Sequence, residues 1–171
     1  MEIVSIKKVK SEQLQTFASG CKALDIFLTN YARQNDKKDV AKTFIGLEGD
    51  KVIGFYSLCN ASLEFSDVPD GLKKHLPHYP IPCLRIARLA VAYDGQGQGY
   101  GIKLLSDALY KILVVSELAG THFAIVDAKE SSKTFYEQFG FEKIEDHKLT
   151  YILSVATIRK TCYKCPFIRP Y

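Results

Sequence analysis

The distribution of hydrophobic and polar residues predicts one long buried strand followed by one long amphipathic helix. Ile81–Val91 is apolar at almost every position, which is typical of a central strand covered on both faces. Over Tyr100–Leu118, apolar side chains recur at steps of three and four residues and therefore share one face of a helix. That face carries Ile102, Leu105, Leu109 and Ile112. Together the two elements indicate a sheet with at least one helix packed against it.

Shorter patterns of the same kind predict the remaining elements. Further strands are expected over residues 3–9, 42–47, 52–63, 121–128, 141–144 and 149–153. Further helices are expected over residues 21–35 and 131–139, the second ended by Gly140. Polar residues predict a loop with a short helix over 64–80, a turn at Asp146–His147 and a loosely held tail over 166–171. Neither a repeat nor a linker interrupts this order, so residues 1–171 are predicted to form one domain.

The composition is typical of a globular protein and argues against a disordered or membrane-spanning one. Of the 171 residues, 47% are hydrophobic and 25% are charged, which is enough apolar material for a core. No apolar run reaches the length of a membrane span, and the first residues lack the apolar core of a signal peptide. We therefore expect a cytoplasmic protein without a membrane partner.

Charge and cysteine content place mild limits on partners and metals. The net charge of +4 permits a polyanionic partner without requiring one. The five cysteines are odd in number and scattered, so they form no disulfide framework. Cys162 and Cys165 form a single C-x-x-C motif, whereas a structural zinc site needs a second ligand pair, which His75 and His78 would supply only by a coincidence of folding. We expect free thiols and no metal.

A glycine-rich turn joins the buried strand to the long helix and is the strongest chemical signal in the chain. The segment over residues 88–101 reads RLAVAYDGQGQGYG, an apolar strand end that runs through a glycine-rich turn into the helix. Glycines let backbone N–H groups approach a ligand, and a helix N-terminus favours negative charge, so the turn predicts a pyrophosphate cradle. It is not a Walker loop, because no Gly-Lys-Ser/Thr follows. It is not a dinucleotide fingerprint either, because Gly101 comes one position too early. The alternative is a plain flexible turn.

Two motifs in this order resemble the GNAT family of N-acetyltransferases. Gln96-Gly97-Gln98-Gly99-Tyr100-Gly101 resembles the Gln/Arg-x-x-Gly-x-Gly/Ala signature that holds the pyrophosphate of acetyl-CoA in that family. Phe135-Tyr136-Glu137-Gln138-Phe139-Gly140-Phe141 resembles the family's FYxxxGF segment. The resemblance implies an α+β, three-layer GNAT fold. Its mixed central sheet would have six to seven strands, with a splay between the fourth and fifth, and about four flanking helices.

The same resemblance implies a set of site residues and acetyl-CoA as cosubstrate. Tyr136 would be the general acid that protonates the departing thiolate, a role that fits a phenol with an ordinary pKa near 10. The alternative is an aromatic ring that only packs on the sheet. The pantetheine arm would pair with the end of the long strand, whose backbone N–H groups include the oxyanion donor. Cofactor-binding residues are expected at Leu89, Ala90, Val91, Gln96, Gly97, Gln98, Gly99, Tyr100, Gly101, Asp127 and Ser132.

The acceptor is constrained by what the long strand lacks. Many GNAT enzymes carry a glutamate there as a base, but residues 81–92 contain no acidic residue and offer Arg85 and Arg88 instead. A lysine amine with a pKa near 10.4 would need about 4 kcal/mol of help at neutral pH, whereas an α-amine near 7.7–8.0 is already partly neutral. The sequence therefore favours an α-amine acceptor.

A narrower resemblance is to GNAT-type toxins of toxin–antitoxin pairs. It rests on Leu24-Asp25-Ile26-Phe27-Leu28, on the segment over 88–101 and on that over 126–141. Such toxins acetylate the α-amine of aminoacyl-tRNA, which implies contacts between tRNA and Arg85, Arg88, Lys37, Lys38 and Lys42. A small antitoxin protein and a homodimer are the further partners implied. Alternatives are acetylation of a small-molecule or peptide amine, and a non-catalytic module that binds CoA.

Overall fold

Seven strands form one hydrogen-bonded sheet in the order β1-β2-β3-β4-β5-β7-β6. The computed structural model describes residues 1–144 and 149–162, and every statement about structure below concerns these residues. The strands are β1 Glu2–Ser5, β2 Lys42–Glu48, β3 Lys51–Leu63, β4 Ile81–Val91, β5 Phe123–Asp127, β6 Glu142–Lys143 and β7 Thr150–Ser154. The predicted turn at Asp146–His147, the predicted tail over 166–171 and Cys165 lie outside the described residues.

The sheet is mixed, and the ladder between its parallel strands β4 and β5 ends before β4 does. Strands β1, β2 and β3 pair antiparallel in sequence, as do β5 with β7 and β7 with β6. Strands β4 and β5 are parallel, with registered pairs from Cys83–Phe123 to Ile86–Val126. Because β4 continues to Val91, its last five residues extend past this ladder. The predicted mixed sheet with a splay between the fourth and fifth strands is confirmed.

The helices are short except for the one that follows β4. They are α1 Ser11–Gln15, α2 Lys22–Ile26, α3 Ala32–Lys37, α4 Tyr100–Leu118, α5 Lys133–Glu137 and α6 Val155–Cys162. A π-helical turn over Phe27–Tyr31 joins α2 to α3, so the helix predicted over 21–35 is present with one irregular turn. Helix α4 has the predicted bounds. Helices α1 and α6 were not predicted, and no described helix is long and apolar enough to cross a membrane.

The strand predicted over residues 3–9 is wrong in its second half. The strand ends at Ser5, and Ile6–Lys8 forms a 3-10 turn. Arg33 of α3 donates from its guanidinium to the carbonyl of Ile6 at 3.3 Å and also to that of Val9. These bonds satisfy carbonyls of the turn from a residue far away along the chain, which local alternation could not reveal.

The described chain divides into two compact units with separate cores. The first contains Met1–Cys59 and Ala87–Ala108, and the second contains Asn60–Ile86 and the residues from Leu109 onward. In the first unit, Phe55 contacts the rings of Phe17 and Phe27 at centroid distances of 5.5 and 6.1 Å. The core of the second unit is built on β4, β5 and β7, and includes Cys83, Phe123, Ile125 and Ile152. Strands β3 and β4 and helix α4 contribute residues to both units. The assignment of one domain to residues 1–171 stays a prediction.

One buried carboxylate ties three elements of the first unit together. Asp36 of α3 is only 2% exposed, and one of its oxygens accepts a hydrogen bond from the backbone N–H of Thr43 at 3.2 Å. The other oxygen, Oδ1, lies 3.5 Å from Nζ of Lys7 and 3.9 Å from Nζ of Lys42. A carboxylate so far from water persists only with such compensation. Asp36 therefore holds α3 against β2 and against the 3-10 turn.

We expect Asp36→Asn to lower the free energy of unfolding by about 2 kcal/mol, because the buried NH2 group would face either the backbone N–H of Thr43 or the two ammonium groups, all of which are donors. Chemical denaturation measures the change. Asp39→Asn is the matched control. Asp39 is 80% exposed and has φ +58°, a conformation that asparagine tolerates, so its substitution should leave the free energy of unfolding close to the wild-type value. Equal losses in both variants would contradict the role given to Asp36.

Candidate active site

The turn between β4 and α4 leaves its backbone open at two glycines. The chain leaves β4 at Val91, forms a 3-10 turn over Tyr93–Gly95 and enters α4 at Tyr100. Gly97 and Gly99 have φ of +76° and +81°, a left-handed conformation that favours glycine. A Cβ built on either residue would meet no atom within 4 Å. The backbone at both positions is therefore open to a ligand.

The start of α4 favours negative charge beside the open glycines. The N–H groups in the first turn of an α-helix have no acceptor within the helix, and the helix dipole places partial positive charge there. Helix α4 has 19 residues, and its first turn contains no acidic side chain that could take those donors. Open glycines and free donors fit a pyrophosphate, which is the group expected at this position from the sequence.

Side chains of the loop hold it in shape. The Gln96 amide donates to the carbonyl of Ser19 at 2.9 Å and to that of Val91 at 3.3 Å, and Gln98 donates to the carbonyl of Asp94 at 2.7 Å. Both glutamines were predicted to bind the cofactor. Their side-chain amides brace the loop, and their backbone N–H groups donate to the carbonyls of Tyr93 and Gly95 at 3.3 and 3.4 Å. Their assignment to cofactor binding stays a prediction.

Residues before and within α2 support this loop. Asp25 accepts hydrogen bonds at Oδ1 from the backbone N–H and the hydroxyl of Ser19, at 2.9 and 2.6 Å. Gly20 follows with φ +82°, and the carbonyl of Ala18 accepts from the N–H of Tyr93 at 2.8 Å. The aspartate thus orders a tight turn whose carbonyls bind the loop. Sequence analysis noted the Leu-Asp pair without assigning it a role.

Gly54 of β3 is a functional position that sequence analysis missed. A Cβ at this residue would lie 2.6 Å from the carbonyl oxygen of Ala90 and 2.7 Å from a methyl carbon of Leu104. Only a glycine lets the end of β4 and helix α4 approach β3 so closely. Leu89, Ala90 and Val91, which were predicted to contact the cofactor, owe part of their position to this approach. A glycine in the middle of an apolar strand was the signal that could have revealed it.

Arg88 is held by an aromatic ring and not by an acid. The central carbon of its guanidinium lies 3.7 Å from the ring centroid of Phe27, which is buried in the core of the first unit. Such a contact contributes about 0.5–2 kcal/mol and orients the planar group without using its N–H donors. Arg88 makes no ion pair with any described residue. Its donors therefore remain available, and its predicted contact with substrate stays a prediction.

Tyr136, the predicted acid, lies on α5 in the second unit and is 6% exposed. Its ring makes edge contacts with Phe135 and Phe141 at centroid distances of 5.2 and 5.6 Å. Burial raises the pKa of the Tyr136 hydroxyl to about 12. Within residues 1–144 and 149–162 its hydroxyl has no hydrogen-bond partner. Packing therefore explains the ring, and the hydroxyl is a protonated group with a free donor.

Arg85 and Asp127, also in the second unit, are bound to each other. The Arg85 guanidinium forms an ion pair with one carboxylate oxygen of Asp127, and the other accepts from the hydroxyl of Thr150 at 2.9 Å. This chain of contacts links β4, β5 and β7. Ser132 bonds through its hydroxyl to the backbone N–H and carbonyl of Lys129, each at 3.1 Å, and so closes the turn before α5. Structural roles account for these three residues, and their predicted roles toward cofactor and substrate stay predictions.

Comparison with known proteins identifies the family. The model described as "Acetyltransferase (GNAT) domain" matches residues 39–143. A tRNA-acetylating toxin from Mycobacterium tuberculosis is 30% identical over 133 residues, which are 77% of this chain and 80% of the relative. The chain belongs to the GNAT acetyltransferase family. The predicted N-acetyltransferase activity is thereby confirmed.

Solved structures of GNAT toxins share the fold over nearly the whole chain. AtaT in complex with acetyl-methionyl-tRNAfMet has a TM-score of 0.86 and 26% identity, and the match covers 94% of this chain and 98% of AtaT. A tyrosine-to-phenylalanine mutant of AtaT, bound to acetyl-CoA and to the C-terminus of the antitoxin AtaR, has a TM-score of 0.79 and 24% identity. That match covers 94% of this chain and 96% of the mutant. The resemblance of this GNAT protein to the toxin branch, inferred from its motifs, is confirmed.

We expect Gly99→Val to weaken acetyl-CoA binding about tenfold or more, as measured by calorimetry. A β-branched residue at φ +81° is strained, and relief of the strain turns the loop N–H groups away from the ligand. Gly49→Val is the control. Gly49 has φ +57° and open space, but it lies in the β2–β3 turn, so its substitution should cost stability without loss of affinity. Unchanged affinity in Gly99→Val would refute the cradle.

Proposed function

We propose that this enzyme transfers the acetyl group of acetyl-CoA to the α-amine of an aminoacyl-tRNA in the cytoplasm. The observation that carries the proposal is the composition of β4, which holds two arginines and no carboxylate. An acceptor amine must then be largely neutral without a base from this strand, and α-amines satisfy that condition. Relatives that are named as tRNA-acetylating, or solved with acetyl-methionyl-tRNA, support RNA as the carrier of the amine.

Different residues of the chain would bind acetyl-CoA and stabilise the charge that develops on its sulfur. Acetyl-CoA supplies the activated acetyl thioester. Backbone N–H groups of Gly97, Gly99, Tyr100 and Gly101 would donate to its pyrophosphate. Tyr100 turns its own hydroxyl to Glu48 at 2.8 Å, so that residue serves the cradle through its backbone alone. The N–H groups at the end of β4, beyond the ladder with β5, are the candidates for binding the pantetheine arm and the developing oxyanion.

Tyr136 would act as a hydrogen-bond donor to the sulfur as negative charge develops there. A pKa of about 12 keeps the proton on its oxygen at neutral pH. A full proton transfer to a thiolate with a pKa near 8.5 would be uphill, so we assign the hydroxyl a shared proton. Tyr136 keeps its own proton, and the proton released by the attacking amine goes to the sulfur, so that CoA leaves as the free thiol.

Arg88 is the residue that we assign to the acceptor in the first unit. Its guanidinium is oriented by Phe27 and retains a fork of donors that suits a phosphate or an ester carbonyl. An antitoxin protein that neutralises the enzyme is part of the same proposal, because the AtaT mutant was solved with the C-terminus of one. A homodimer stays an expectation.

Incubation with radiolabelled acetyl-CoA tests the substrate. We expect label on the aminoacyl group of a charged total-tRNA pool, released by mild base together with the amino acid, and none on deacylated tRNA. Small amines and peptides run in parallel serve as alternative acceptors. Label only on those acceptors would refute the tRNA substrate. No label on any acceptor, despite tight binding of acetyl-CoA, would indicate a non-catalytic module.

We expect Tyr136→Phe to lower kcat about a hundredfold with the dissociation constant of acetyl-CoA unchanged, since the hydroxyl acts only as charge develops. Tyr79→Phe, at a side chain that is 62% exposed, is the control and should keep full activity. In the wild type, kcat/KM should rise with deprotonation of the amine, bend near pH 8 and show no fall up to about pH 9.5. The absence of a fall follows from the direction of the shift, because a pKa of about 12 leaves Tyr136 protonated throughout. Equal kcat in wild type and Tyr136→Phe would remove the residue from this role.

A further inference from the structure

The positive charge of the chain is concentrated on one face of the first unit. The 3-10 turn over Ile6–Lys8 contacts α3 and β2, and α3 contacts β2. Residues 6–10 and 33–42 contain seven cationic side chains and two carboxylates, a net formal charge of +5, whereas the whole chain carries +4. We call this face the lysine surface, and its cations are Lys7, Lys8, Lys10, Arg33, Lys37, Lys38 and Lys42.

Internal contacts use three of the seven cations and hold the lysine surface together. Arg33 binds the carbonyls of Ile6 and Val9, and Lys7 lies against the buried carboxylate of Asp36. Lys42 forms an ion pair with Asp39 and donates to the carbonyl of Asp36 at 3.0 Å. These contacts fix the 3-10 turn against α3. The strand predicted for residues 3–9 would have sent Lys7 and Lys8 to opposite faces of the sheet.

The other four cations have no local counter-charge. Lys8, Lys10, Lys37 and Lys38 are exposed and form no ion pair with any described residue. Exposed ammonium groups on elements that contact one another attract a polyanion and displace its bound counterions. The surface thus suits a partner with several closely spaced negative charges.

The position of the lysine surface relates it to the cofactor loop of the same unit. Lys42 begins β2, and Glu48 ends β2 beside the first residue of α4, to whose hydroxyl it is bound at 2.8 Å. Seven residues of strand span about 20 Å. An A-form RNA duplex of several base pairs covers a comparable length. One acceptor arm of a tRNA can therefore reach from the cradle end of β2 to the lysine surface.

We propose that the lysine surface binds the phosphate backbone of the tRNA acceptor arm, at a distance from the amine that is acetylated. This inference rests on the proposed function and adds Lys7, Lys8 and Lys10 to the residues expected from the sequence. The surface contacts backbone and not bases. Lysine is a point charge without a base-reading fork, and Val40 is the one large apolar side chain exposed within residues 6–10 and 33–42. Binding through it is independent of RNA sequence and steeply dependent on salt.

The test compares two triple variants that remove the same charge. Lys8→Gln, Lys37→Gln and Lys38→Gln together alter the lysine surface. Lys74→Gln, Lys143→Gln and Lys160→Gln together are the control, because these lysines are also exposed and form no ion pair with any described residue. Fluorescence anisotropy measures the dissociation constant of deacylated tRNA over a NaCl series. Polyglutamate is measured as a second ligand, and calorimetry with acetyl-CoA checks the cradle.

We expect the surface variant to bind deacylated tRNA at least about tenfold more weakly near 0.15 M salt. The slope of log affinity against log salt should become shallower by about two to three. The control should stay within about twofold of wild type, and acetyl-CoA affinity should not change in either variant. Wild-type tRNA affinity in the surface variant would overturn the proposal. So would an equal loss in both variants, or a loss confined to polyglutamate, which would assign the surface to an acidic peptide.

Failure of this inference is separable from failure of the proposed function, because deacylated tRNA reports binding without chemistry. If the wild type binds RNA through the lysine surface but transfers no label to charged tRNA, the proposed function is refuted and the surface stands. If the wild type labels charged tRNA and the surface variant keeps its KM for that substrate, the surface is refuted and the function stands.

Discussion

The structure of the first unit depends on one constraint: the chain must turn from β4 into α4 while the N–H groups at Gly97, Gly99 and the start of α4 stay free. A free N–H is costly in a folded protein unless a ligand or water meets it, so the rest of the loop must hold these groups in place. Backbone bonds do so in part, since Gly95, Gln96 and Gln98 donate to the carbonyls of Ala92, Tyr93 and Gly95, and side chains add to this support. Gln96 binds the carbonyl of Ser19, Gln98 binds that of Asp94, and Lys51 forms an ion pair with Asp94 that holds the pKa of this carboxyl below its usual range.

The same constraint extends to residues outside the loop. The turn that offers the Ser19 carbonyl is ordered by Asp25, and the end of β4 reaches its place because Gly54 has no side chain. Inside the unit, Tyr56 donates to Asp107 of α4, so the helix whose first turn is the candidate anion site is also fixed from β3. The candidate anion site is therefore held in place by residues that lie outside the loop.

Electrostatics in the two units follow opposite designs. In the first, cations are exposed and collected around one buried carboxylate, which suits a large, strongly charged partner that arrives from solution. In the second, Tyr136 is buried among aromatic rings and kept neutral. Burial suits a hydroxyl that donates to a reacting atom only when negative charge develops there. A buried neutral donor is not screened by water, so its interaction with that charge is strong. Binding and proton control thus rely on different physical means.

The sequence alone determined the elements whose patterns are local. A nearly continuous apolar run and a period-3.6 pattern identified β4 and α4 with their observed bounds. The glycine spacing marked a turn in which Gly97 and Gly99 have positive φ, because positive φ is a property of single residues. The two motifs also sufficed to identify the family. Tertiary structure decided what depends on partners distant in the chain. Arg33 donates to the carbonyl of Ile6, 27 residues away, and so stabilises the 3-10 turn that ends the first strand. Asp127 binds Arg85, which is 42 residues away. Only the folded structure shows that Gln96 braces the loop. It also brings the segment with Lys7, Lys8 and Lys10 against the helix with Lys37 and Lys38. Both features depend on distance in space and not on position in the chain.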